Sequence, residues 1–98
     1  MKLPKIEIIK KIVSEHFGYA SEVVFSRDRK SGLVKARHSA IYITSVLTWY
    51  GRMDIAEAYK MNVSNISYIL STVEDFKSVD PRFAKELEEL KQKCEQAI

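Results

Sequence analysis

Two groups of side chains have the types and spacing to work on a nucleic acid. The first is basic: Arg27, Arg29, Lys30, Lys35 and Arg37 crowd into residues 27–37 with Asp28 as the only acid among them. Guanidinium and ammonium groups so concentrated can follow a phosphate backbone, and arginine, being weakly hydrated, also enters the negative potential of a minor groove. A plainer reading pairs Lys35 or Arg37 with Glu57 or Asp54 in surface ion pairs. The second group is Asn62, Val63, Ser64, Asn65, Ser67 and Tyr68, mostly short polar side chains at the start of an expected helix. From that position they can reach base edges or phosphates in a major groove.

Other chemistries find little support. His16, His38 and Cys94 are too few and too scattered for a zinc site, and a lone cysteine cannot close an internal disulfide. Neither a Ser/His/Asp nor a Cys/His arrangement at meaningful spacing is present, and no glycine-rich phosphate-binding loop occurs. The expectation is a protein that is not an enzyme and needs no cofactor, with double-stranded DNA as its partner. Cys94 is expected on a half-exposed face of the last helix.

Length and composition fit one domain. The 98 residues are 46% hydrophobic and 30% charged, an ordinary balance for a small core. The net charge of +3 is unevenly spread, with residues 26–50 holding five basic side chains against one acid. No apolar run approaches the roughly 20 residues that span a bilayer, and the first residues alternate lysine with isoleucine instead of forming a signal peptide. A single domain over residues 1–98 is expected, in the cytoplasm and associated with the nucleoid.

Apolar residues recur at helical spacing, which predicts an all-α fold: a compact helical domain with a long central helix and a helix-turn-helix. The first helix starts near Pro4 and stops at Gly18, and a short turn follows at Ser21–Phe25. Ser26–Gly32 reads as a flexible loop. The central helix is expected from Leu33 to Trp49, apolar almost all round and ended by a left-handed Gly51. Asp54 is expected to cap a helix over Ile55–Lys60, Asn62 one over Val63–Asp75, and Asp80 with Pro81 the last helix.

The stretch Ile55–Leu70 has the internal spacing of a helix-turn-helix. Ala56 provides the small residue where the two helices approach, and Ile66 supplies the apolar contact that locks them. In such a motif the start of the second helix enters the major groove. Lys60 occupies the turn position usually held by glycine.

The order of elements, together with Val34-Lys35-Ala36-Arg37-His38-Ser39-Ala40-Ile41-Tyr42 and the stretches Ile8–Phe17 and Ser21–Lys30, resembles the C-terminal DNA-binding domain (domain IV) of the bacterial replication initiator DnaA, in the Trp-repressor-like helix-turn-helix superfamily. The resemblance runs from about Ile6 to Cys94. It implies that the basic loop, through Arg27, Arg29, Lys35 and Arg37, contacts minor groove and backbone while the second helix reads an initiator box. It also implies a role in initiating replication. The chain departs from the family's Gly-Gly-Arg-Asp-His-Thr-Thr-Val signature: it reads Lys60-Met61-Asn62-Val63-Ser64-Asn65-Ile66, with methionine in place of arginine and valine in place of histidine. That loss supports a second reading, a protein-interaction module of DNA-binding ancestry that docks a partner through Tyr50, Met53, Tyr59, Met61 and Tyr68.

Overall fold

The computed structural model describes residues 4–98, so residues 1–3 of the expected domain lie outside the described part. The fold is all-α: α1 (Pro4–Phe17), α2 (Ser21–Val24), α3 (Ser31–Leu47), α4 (Arg52–Ala58), α5 (Val63–Val79) and α6 (Pro81–Ala97). α3 is central and packs against each of the other helices. Its Leu33, Ala36, Ala40, Ile41 and Ile43 are buried together with Ile9 and Val13 of α1, Ile55 of α4, Ile66 of α5 and Leu90 of α6. The whole has a Cα radius of gyration of 12.3 Å. Among the described residues no helix is long and apolar enough to cross a membrane.

Helix ends follow from local chemistry. α1 closes on Gly18 (φ 78°), with Gly18 N–H donating to Glu15 C=O and Tyr19 N–H to Ser14 C=O, the paired bonds of a left-handed cap. Asn62 Oδ1 accepts the Asn65 N–H at 2.8 Å and opens α5, and Asp80 Oδ1 accepts from Arg82 and Phe83 N–H to open α6 behind Pro81. Between the helices, Glu86 joins α6 to His16 of α1 (3.1 Å) and Lys35 of α3 (3.2 Å), while the Tyr42 hydroxyl donates to Glu74 and accepts from Lys77 of α5.

Several boundaries differ from those read off the sequence. α3 spans Ser31–Leu47, not Leu33–Trp49: Thr48 turns extended (φ −121°, ψ 166°), and its hydroxyl accepts the Tyr50 N–H at 3.3 Å. Trp49 therefore leaves the helical register and stands fully exposed (100%) instead of widening the buried stripe, and Val46 is exposed too. Gly51 is not left-handed (φ −71°). It precedes α4, and Asp54 sits in the third position of that helix, its carboxylate accepting the Gly51 N–H at 3.3 Å. Asp54 thus caps from inside the helix. α5 continues past Asp75 to Val79. Cys94 is fully buried (0% exposed), not half-exposed, because α6 turns that residue onto the same core stripe as Leu87 and Leu90.

Candidate nucleic-acid interface

α4 and α5 are joined by Tyr59–Asn62, and the sharpness of that turn comes from Lys60. Its backbone is left-handed (φ 57°), its N–H donates to Glu57 C=O, and Met61 N–H donates to Ala56 C=O at 2.8 Å. This is the same closure that Gly18 gives α1, made here by a residue with a Cβ, for which a left-handed backbone costs about 1–2 kcal/mol. Ala56 and Ile66 are both buried, as the spacing required, and Tyr59 is buried with its hydroxyl 2.9 Å from Thr44 Oγ1. Burial pushes the Tyr59 phenol far above its usual pKa. Lys10 closes the back of the pair, its ammonium lying over the Tyr59 ring (4.8 Å) and reaching Ala58 C=O at the end of α4.

The basic loop between α2 and α3 is a braced structure. Ser26 Oγ donates to Val23 C=O and accepts from Asp28 N–H, and Asp28 Oδ1 accepts from Lys30 N–H at 3.0 Å. Arg37 completes the brace from the second turn of α3. Only 8% exposed, it donates from Nε to Val24 C=O (2.9 Å) and from Nη2 to Asp28 C=O (2.8 Å). Burial pulls the Arg37 guanidinium below its usual pKa and nearby Asp28 works against that, but an arginine stays charged. A flexible loop was expected; the chain instead fixes the backbone that carries Arg27 and Arg29 and leaves those two side chains exposed.

Loop and turn face each other across one groove of about 1060 Å³. Arg27, Arg29 and Arg37 line one wall, and Lys60, Asn62, Asn65 and Tyr68 another, with Glu57 as the only carboxylate. The structure therefore brings together members of both groups singled out from the sequence. It leaves others outside the groove. Lys30 is exposed on the loop, and Lys35, whose ammonium lies 3.2 Å from Glu86 and 5.4 Å from the Phe83 ring centroid, belongs to the α6 side. Val63 and Ser64 are exposed on the first turn of α5, and Ser67 turns toward α4, where its hydroxyl accepts from Arg52 Nη1 at 2.9 Å. The plainer alternative, Lys35 or Arg37 paired with Glu57 or Asp54, is not what forms: Lys35 pairs with Glu86, and Arg37 donates to two carbonyls. Sequence reasoning did not place Lys60 or His38 in the groove, although Lys60 is the only basic residue between the paired helices and His38 directly follows Arg37.

Comparison with known proteins agrees with the resemblance read from the residues. No protein-family model matches the chain. Over 88 residues, 89% of its length, it is 27% identical to the chromosomal replication initiator protein DnaA of Brucella abortus, and equally to those of Brucella suis and Brucella melitensis. The chain spans 18% of the length of these relatives, the share of a single domain within a much longer protein.

Proposed function

We propose that this chain binds double-stranded DNA, with Arg27 and Arg29 on phosphates and the minor groove and the start of α5 in the adjacent major groove. The observation that carries this reading is the shared groove, where a cationic loop and the first turn of α5 meet around a single acid. The α5 N-terminus adds unpaired N–H groups and the positive end of a helix dipole on the same side, which favours phosphate. α4, the Lys60 turn and α5 then act as a helix-turn-helix, with Asn62, Val63, Ser64, Asn65 and Tyr68 toward the bases and Ser67 held back by Arg52. Arg37 acts by holding the loop. The similarity to DnaA supports a role in replication initiation at chromosomal DNA.

Fluorescence anisotropy against a mixed-sequence duplex at several salt concentrations tests this. Binding is expected to weaken steeply as salt rises, log Kd changing by roughly 0.9 per phosphate contact for each unit of log salt. Absence of duplex binding at low salt overturns the reading.

The protein-docking alternative has one observation of its own. Trp49 is wholly exposed and Met53 is 76% exposed, beside the start of α4, and such side chains dominate the energetics of protein interfaces. Of the side chains first assigned to docking, Tyr59 is buried, Tyr50 and Met61 are half-buried, and Met53 and Tyr68 are exposed; Tyr68 lines the large groove, so a separate docking surface centres on Trp49 and Met53.

A further inference from the structure

His38 lines the large groove and also a second groove of about 470 Å³ between α3, α5 and the α5–α6 junction. Arg29 and Val34 line both as well, so the imidazole stands on the ridge that separates them. The residue is half-buried, and its ring makes no hydrogen bond among the described residues. Among the described residues no fully buried side-chain nitrogen or oxygen lacks a partner, so the ring nitrogens must reach the solvent of the grooves.

The charged groups around these two grooves are mostly cationic. Arg37 and Lys35 come from α3 itself, Arg27 and Arg29 from the loop, and Lys60 from the turn, against Glu57 of α4 and Asp80 at the head of α6. The phenols of Tyr59 and Tyr68 complete the set. Asp80 is committed to the α6 cap and Lys35 to Glu86, which leaves the loop arginines, Arg37, Lys60 and Glu57 to set the field. Burial, and then Arg37, hold the imidazole below its ordinary pKa. A phosphate seated against the ring opposes that field and favours the charged imidazolium.

We infer that His38 takes up a proton when duplex DNA enters the groove, and that its imidazolium is then a phosphate ligand present only in the complex. The inference rests on the DNA-binding reading above and adds to it a dependence on pH. Because the bound state holds the extra proton, binding tightens as pH falls, by at most about tenfold per pH unit for one proton. His16, the other histidine, is held by Glu86 and lines neither groove, so it serves as an internal control.

The test is duplex binding by anisotropy from pH 5.5 to 8.0 at constant ionic strength, for the unsubstituted protein, His38→Gln and His16→Gln. It is paired with an NMR titration of the His38 ring protons with and without duplex, which needs no variant. Between pH 7.5 and 6.0 the unsubstituted protein and His16→Gln are expected to gain roughly threefold to tenfold in affinity while His38→Gln stays constant, and duplex should raise the His38 pKa. Binding that is present but independent of pH overturns the inference, as does a pH dependence that survives in His38→Gln or a His38 pKa that duplex leaves unmoved. Absence of binding at every pH removes the DNA-binding reading and the inference with it.

Discussion

Replacing Arg37 by alanine separates a residue that holds the interface from one that touches DNA. The substitution deletes two charge-assisted hydrogen bonds, at 2.9 and 2.8 Å, and leaves behind the carbonyl of Val24, a residue with no exposed surface. An unsatisfied buried acceptor costs about 1–3 kcal/mol, and a hydrogen bond to a charged group contributes about 1.5–3 kcal/mol net. The Asp28 carbonyl lies on an exposed residue, where water can replace the guanidinium, so most of the loss comes from the Val24 side. A destabilisation of about 2–4 kcal/mol follows, which in a domain of this size lowers the melting midpoint by at least about 8 °C. Urea unfolding followed by helical circular dichroism measures it, with the denaturant slope unchanged. Arg37→Lys keeps the charge but cannot span two carbonyls, so it should recover only part of the loss. If Arg37→Ala were as stable as the unsubstituted protein and lost duplex affinity all the same, the residue would be a DNA contact and the bracing role would be wrong.

Other substitutions should behave in contrasting ways. Arg27→Ala and Arg29→Ala, on exposed side chains, should leave stability within about 0.5 kcal/mol and each reduce the slope of log Kd against log salt by about 1. Asn65→Ala should change preference among duplex sequences, read by selection from a random pool, while a uniform loss across all duplexes would remove it as a base reader. Lys60→Gly relieves a left-handed backbone and should stabilise the fold by about 0.5–1 kcal/mol in urea, since the steric relief exceeds the added chain entropy. Cys94, whose thiol burial pushes up to about 11, should resist a thiol reagent at pH 8 in the folded protein and react only on unfolding.

The sequence exposed the fold class and the start of the α4–α5 pair because both depend on local signals. Periodic apolar residues mark α1, α3 and α6, and a side-chain cap at Asn62 or Asp80 acts within three residues. The spacing from Ala56 to Ile66 marked Lys60 as the turn position, but the helix read as Ile55–Lys60 is Arg52–Ala58 and the backbone of Lys60 is left-handed. What stayed hidden depends on tertiary contacts. The pattern put Arg37 on a helix and Arg27 in a loop but gave both the same role on DNA, whereas the fold buries Arg37 against the Val24 and Asp28 carbonyls and leaves Arg27 exposed. Trp49 carries a strong apolar signal and reads as core. The extended backbone of Thr48, one residue earlier, takes the chain out of the helix and leaves the indole exposed. Lys35 lies in the same charge cluster as Arg37 but answers to Glu86, a residue far along the chain.

The most direct test of the account is a footprint of duplex DNA on the protein by backbone-amide NMR titration at low salt. Shifts concentrated in residues 26–38 and 60–68, the segments that carry the two walls of the large groove, are the predicted result. Shifts centred instead on Trp49 and Met53, or on Phe76 and Val79 at the far end of α5, would contradict it.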